Sequence, residues 1–203
     1  MRITGEMSRT ACGKRLLYGL KQDITEEKLR YETLRRLAEN DALTGLASRT
    51  VYESRFLNRQ PGVAPISPLG ALILFDLDGF KGINDRLGHL AGDACLKAFA
   101  ERLSTSFPEA LLTARIGGDE FAVIVSNDEP LSLIKASLDS LQSLLAAPVL
   151  WREHIFKVAA TSGFALPTDP YCYDAEELFV RADAALYATK RTGRRDRASD
   201  RPL

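Results

Sequence analysis

The run Ala71-Leu72-Ile73-Leu74-Phe75 stops at Asp76, with Asp78 two positions on. So short an unbroken apolar run has no face to give to water and reads as a strand buried on both sides. Such a strand needs a covering layer on each face of its sheet. It also fixes a carboxylate where the chain leaves the core. Helical spacing supplies the layers. In residues 92–107, Leu96, Phe99, Ala100 and Leu103 share one face, and residues 131–145 form a second amphipathic stretch. Residues 175–192 form a third, expected to end at Gly193. Two more apolar runs, 111–116 and 121–125, flank Gly117-Gly118-Asp119-Glu120 and signal a hairpin. Residues 154–166 add a strand or a pair of strands, and a loop is expected between Gln60 and Gly70. The expected fold is α/β, an antiparallel-containing sheet with helices in one domain of about 160 residues.

Ahead of this scaffold the composition changes. Residues 24–40 are rich in Glu, Lys, Arg and Leu and hold no Gly or Pro. Thr25 before Glu26 and Glu27 offers a capping hydroxyl and first-turn acids. Ile24, Tyr31 and Ala38 recur at heptad spacing, as do Glu27 and Leu34, and Leu29 and Leu37 widen the stripe. Two readings stand: a short coiled coil, or a solvated amphipathic helix on the domain surface. In residues 1–23 only Arg15-Leu16-Leu17-Tyr18-Gly19-Leu20 reads as a strand, and one strand has no core of its own.

Charge and cysteine usage exclude several classes. Lys plus Arg and Asp plus Glu are 27 each, so the formal net charge is zero. A dedicated nucleic-acid binder rests on a basic surplus, so no nucleic-acid partner is expected. No apolar run approaches the roughly 20 residues of a membrane helix, so no membrane insertion is expected. Met1 to Thr10 lacks the apolar core of a signal peptide. Cys12, Cys95 and Cys172 are widely spaced without a CxxC, which suggests neither a disulfide framework nor a zinc site. The expectation is a reduced, cytoplasmic protein.

The acids at Asp76 and at Asp119-Glu120 are the chemical candidates. Carboxylates converging at strand ends bind Mg²⁺ through hard oxygens and leave positions for water and phosphate. The competing reading is an ordinary hairpin tip, where acids are common.

Motif order carries a resemblance. Gly117-Gly118-Asp119-Glu120-Phe121 follows Ala114-Arg115-Ile116. Before it stand Asp76-Leu77-Asp78-Gly79-Phe80-Lys81-Gly82-Ile83-Asn84-Asp85, then Gly88-His89 and Gly92-Asp93. Further upstream is Asp41-Ala42-Leu43-Thr44-Gly45-Leu46-Ala47-Ser48-Arg49. Downstream come Ala182-Asp183-Ala184-Ala185-Leu186-Tyr187, Lys190, Gly193 and Arg194. These blocks, in order from Asp41 to Arg195, resemble the GGDEF family of diguanylate cyclases.

The resemblance implies a ferredoxin-like βαββαβ palm core related to nucleotidyl cyclases, with an N-terminal helix. It implies condensation of two GTP into cyclic di-GMP, with two pyrophosphates released, in bacterial second-messenger signalling. Each domain would hold one GTP, so a homodimer is implied. Asp76, the Leu77 carbonyl, Asp119 and Glu120 would be ligands to Mg²⁺ or Mn²⁺, two ions per half-site. Asp119, Lys81 and Glu120 are implied as catalytic, with Asp119 as general base for the 3′-hydroxyl. Asn84 and Asp93 would read guanine, and His89 would lie near base or ribose. Lys190 and Arg194, one helical turn apart, would meet the triphosphate. The alternative is a low-turnover GTP-binding regulatory domain of the same family. Another nucleotidyl cyclase on this palm is opposed by the Asn84 and Asp93 pair.

This sequence departs from the family pattern in places. The window for the family's inhibitory Arg-x-x-Asp site is Pro108-Glu109-Ala110-Leu111, so no such site is expected. Ser48 stands for the usual Asn, Thr161-Ser162-Gly163 for Ser-Ile-Gly, and Arg195 for Asn. Residues 19–28 resemble the exit strand of a PAS sensor and the start of its signalling helix. The organisation this resemblance implies is a leader over 1–23, read as the remnant of a PAS exit strand, a signalling or coiled-coil helix over 24–40, and a GGDEF domain over 41–203. An upstream sensor domain would be absent from this chain.

Overall fold

The central strand has an apolar neighbour on every side, which is why its sequence does not alternate. The computed structural model describes residues 2–9, 15–22, 39–57, 66 and 68–199. The expected helix over 24–40 lies outside them except for its last two positions, as do Cys12 and most of the loop between Gln60 and Gly70. The chain divides into two units, residues 1–38 and 39–203.

In the first unit β1 (Arg2–Arg9) pairs antiparallel with β2 (Arg15–Gln22), from Arg2 opposite Gln22 to Arg9 opposite Arg15. The single strand expected over 15–20 is thus half of a hairpin. Its partner is hard to see in sequence because Ile3 and Met7 are the only large apolar residues in β1.

In the second unit α1 (Arg49–Tyr52) is capped by Ser48, whose hydroxyl accepts from the Val51 amide, and widens into a π-type turn, Glu53–Leu57. Then come β3 (Leu69–Leu77), α2 (Phe80–Leu87), α3 (His89–Ser106), β4 (Leu112–Arg115) and β5 (Glu120–Ser126). α4 (Leu131–Ala146), β6 (Val149–Trp151), β7 (His154–Phe156), β8 (Ala160–Ala165) and α5 (Ala175–Ser199) complete it. The main sheet has the order β4-β5-β3-β8, antiparallel throughout. With α2 and α3 after β3, and α4 after β5, this is the βαββαβ order of the ferredoxin-like palm. β6 and β7 form a separate small hairpin inserted before β8.

Each face of the sheet has its own core. Ala71, Ile73, Phe75 and Leu77 join Phe121, Val123 and Val125 under α3 and α4, where Phe99, Leu103, Ile134 and Leu141 are buried. The ring centroids of Phe99 and Phe121 stand 4.7 Å apart, with Phe75 edge-on to Phe99 at 6.0 Å. On the opposite face Leu72, Leu74, Ala122 and Ile124 pack with Tyr52, Phe56, Leu178, Ala182 and Leu186. α5 lies directly on β8, because a Cβ at Gly163 would overlap the backbone of Leu186.

Gly193 does not end α5, which continues to Ser199. A helical glycine costs about 1 kcal/mol relative to alanine, which weakens a helix without stopping it. Arg194 and Arg195, which follow it, are good helix formers.

Candidate active site

Strand register fixes the carboxylates. Asp76, next to last in β3, lies opposite Glu120 of β5 on one side and Thr161 of β8 on the other. Even-numbered positions of β3 and β5 face α5, so Asp76 and Glu120 are neighbours on that face. α5 answers with a cation. Leu178, Ala182 and Leu186 bury one stripe of the helix, and Lys190 is its next member after one further turn. Its ammonium ion-pairs with the Asp76 carboxylate, both side chains being about four-fifths buried, at 23 % and 19 % exposure.

The Gly-Gly turn is held by its own acid and by an arginine. The Glu120 carbonyl accepts from the amides of Ile116 at 2.9 Å and Gly117 at 3.3 Å. A Cβ at Gly117 would meet the Glu120 carboxylate, the end of an exposed side chain that can swing aside. The Leu77 amide donates to the Asp119 carbonyl at 3.1 Å, tying the turn to the end of β3. Arg115 donates through Nη2 to the Gly118 carbonyl at 2.7 Å, and through Nη1 to both Asp41 oxygens at 3.2 Å. Asp41 also accepts from the amide and hydroxyl of Thr44 at 2.9 and 2.7 Å. Burial alone would raise the Asp41 pKa, but the Thr44 donors and Arg115 outweigh it and hold the carboxyl below its usual value. Arg49, bonded to Glu53 at 2.7 Å, has its pKa raised by that carboxylate and, more weakly, by Glu120.

Asp78 turns elsewhere. It accepts from the Thr161 hydroxyl at 3.0 and 3.1 Å, and its amide donates to the Ala159 carbonyl at 2.8 Å. Gly79 follows with φ 70°, which only glycine adopts freely, and the chain enters α2. Lys81 and Asn84 lie one turn apart on α2, and Lys81 is exposed. Asn84 is half-buried and lies against Gly92 of α3, beside the half-buried Asp93. His89 opens α3 and is exposed. Arg194 lies in α5, one turn beyond Lys190.

The structure therefore pairs Asp76 with Lys190 on the α5 face, with Glu120 beside Asp76 in register, and sets Asn84 against Gly92, the residue before Asp93. Sequence reasoning missed Arg115, Asp41 and Thr161. Arg115 and Asp41 stood inside recognised motifs, but a turn clamped across the fold leaves no local pattern.

Among the described residues no three His, Cys, Asp or Glu side chains are gathered to hold a metal. Mg²⁺ does not require this, because it takes one or two carboxylates and fills its shell with water and substrate phosphates. Asp76 near the end of β3 and Asp119 in the turn before β5, which the Leu77 amide ties to β3, offer hard oxygens of that kind. The residues fit a Mg²⁺ site completed by substrate.

Among curated relatives, the chain is 32 % identical over 173 residues to the probable diguanylate cyclase DgcE of Escherichia coli, covering 85 % of this chain and 16 % of that protein. It is 34 % identical over 173 residues to the cyclic di-GMP phosphodiesterase PdeB of Shewanella oneidensis, covering 85 % and 20 %. The chain thus spans a fifth or less of the length of these two relatives. Among solved structures, the coiled coil and GGDEF domain of DgcB from Caulobacter crescentus, in complex with c-di-GMP, matches with a TM-score of 0.70 at 29 % identity. That match covers 84 % of this chain and 90 % of the other. No described helix is long and apolar enough to cross a membrane. The family model described as diguanylate cyclase, GGDEF domain, matches residues 38–196, and the chain belongs to the GGDEF family.

Proposed function

We propose that this chain is a diguanylate cyclase that condenses two GTP into cyclic di-GMP and two pyrophosphates, in the cytoplasm, as a homodimer. The observation that carries the reading is the convergence of Asp76, Glu120 and Lys190 at one end of the sheet, beside a turn held by Arg115. Each GTP presents a 3′-hydroxyl to the α-phosphorus of the other. A P–O bond forms there as the bond to pyrophosphate breaks. One domain holds one GTP, so two domains must face each other.

In this reading Asp76, the Leu77 carbonyl, Asp119 and Glu120 hold the ions, two Mg²⁺ per half-site. Bound Mg²⁺ supplies charge neutralisation on the triphosphate and stabilises the attacking and leaving oxygens. Asp119 takes the proton of the 3′-hydroxyl. Lys81 offsets charge developing on the phosphates. Lys190 and Arg194, one helical turn apart on α5, would meet the triphosphate from one face. Asn84 offers a donor to a purine acceptor. Asp93 accepts from N1–H and N2–H of guanine together, a pair adenine lacks, so ATP would leave a half-buried carboxylate unpaired. His89 lies beside base or ribose.

A second reading, a GTP-binding regulatory domain with little turnover, is favoured by the relative PdeB, named for the opposing reaction. Incubation with GTP and Mg²⁺, with product identification, separates the two. Cyclic di-GMP from wild type and none from Asp119→Ala supports the cyclase. Wild type without product at high protein concentration supports the regulatory domain, and equal turnover by Asp119→Ala refutes the site. Consumption of ATP alongside GTP removes the role given to Asp93.

A further inference from the structure

Asn84 carries an unusual feature for a side chain between two helices. Its Oδ1 is enclosed by protein and has no hydrogen-bond donor. The oxygen points at Gly92 of α3. A Cβ built there would overlap Asn84 Oδ1, while Cγ and Nδ2 stand 2.9 and 3.3 Å from that point. The amide is thus turned with its oxygen toward the glycine and its nitrogen away. Gly92 is itself buried, within a regular helix, and its φ is not left-handed. Its backbone conformation therefore does not explain why glycine stands there. The space above its Cα does, because the Asn84 carboxamide fills it. An enclosed acceptor without a donor is costly unless the arrangement serves something else.

We infer that Gly92 is a positioning residue for nucleotide selection: it leaves room for the Asn84 carboxamide and so sets where that amide stands for a purine base. The inference rests on the guanine-reading role proposed for Asn84. Any side chain at position 92 displaces the carboxamide first, because the atom in the way ends a short side chain and is not backbone.

The test is calorimetric binding of α,β-methylene GTP and of the matching ATP analogue, with Mg²⁺, to the full chain. Wild type, Gly92→Ala, Asn84→Ala and the double variant are compared, so that turnover plays no part. Gly92→Ala is expected to weaken the guanine analogue by about tenfold, the scale of one lost hydrogen bond, and to leave the adenine analogue unchanged. In the Asn84→Ala background the same substitution is expected to add nothing, since its target is gone. Equal losses in both backgrounds, or unchanged guanine affinity in Gly92→Ala, overturn the inference while wild-type guanine preference keeps the parent reading. Absence of guanine preference in wild type overturns both. If Gly92→Ala fails to fold, the double variant is expected to fold, because the obstructing carboxamide is removed. A double variant that also fails to fold overturns the inference.

Discussion

Tyr52 is 2 % exposed, and its hydroxyl has no partner. Burial pushes its pKa well above the ordinary tyrosine value, so the group stays a neutral, unsatisfied hydroxyl. Its ring stands 5.4 Å from that of Phe56, and phenylalanine would keep that packing. Tyr52→Phe is expected to leave stability unchanged or raise it by about 1 kcal/mol in urea denaturation, and a loss above that would mean the hydroxyl has a partner. Arg115 is the opposite case, a side chain whose polar atoms are all committed to shape. Arg115→Met releases the Gly118 carbonyl and leaves Asp41 with its Thr44 donors alone. Misplacement of a catalytic turn lowers kcat on the order of ten- to a hundredfold, and unchanged steady-state turnover would show that the clamp is not needed. The pH dependence of this clamp has a definite sign. The folded pKa of Asp41 is depressed below 3.8, so its contribution is complete above that pH and is lost as pH falls through the lower folded value. The stability gap between wild type and Asp41→Asn is therefore expected to be flat through neutral pH and to shrink below about pH 4 in pH-dependent melting.

At the scale of elements, α5 carries the site into place. Its stripe runs Leu178, Ala182, Leu186 and then Lys190, so docking of the helix on β8 sets where the ammonium lies. The docking surface is Gly163, where a Cβ would overlap the backbone of Leu186 and approach the Ala182 carbonyl at 2.6 Å. Backbone cannot move aside as a side-chain tip can. Gly163→Ala is expected to cost 1–3 kcal/mol by overpacking and to reduce turnover with it, read by melting and GTP consumption. A stable variant with full activity would show that α5 tolerates displacement. The same elements show what a sequence reveals. β3 is legible because both its faces are covered, so its run is unbroken. α4 is legible because it keeps one apolar face over many turns. α2 leaves no such trace: it is short, holds Gly82, Asn84 and Asp85, and buries only Ile83. β6 has three residues, too few for any period. Of the site, the carboxylates at Asp76 and Asp119 stand out because strand ends and a Gly-Gly turn mark them. The pairing of Lys190 with Asp76 and of Asn84 with Gly92 depends on tertiary packing, which no local spacing encodes.

At the scale of the whole molecule, the proposed chemistry needs a second copy. Each half-site supplies the attacking hydroxyl for one bond and the electrophilic phosphorus for the other, so a lone domain closes no ring. Twenty-seven cations balance twenty-seven anions, so copies neither repel nor steer each other at long range. Encounter is then governed by concentration, and two domains present below their pairing constant behave as a bimolecular system. Specific activity is expected to rise in proportion to protein concentration over about a hundredfold dilution series, with weak dependence on ionic strength. Pyrophosphate release reads this directly. Product is expected not to change the slope, because Pro108 and Leu111 stand at the two charged positions of the Arg-x-x-Asp window. Added cyclic di-GMP at concentrations well above that of the protein is therefore expected to leave the rate unchanged. Specific activity independent of concentration would mean that the pair is already formed at the lowest dilution. Sedimentation at that same concentration decides the matter: an active species of monomer mass would end the two-domain reading.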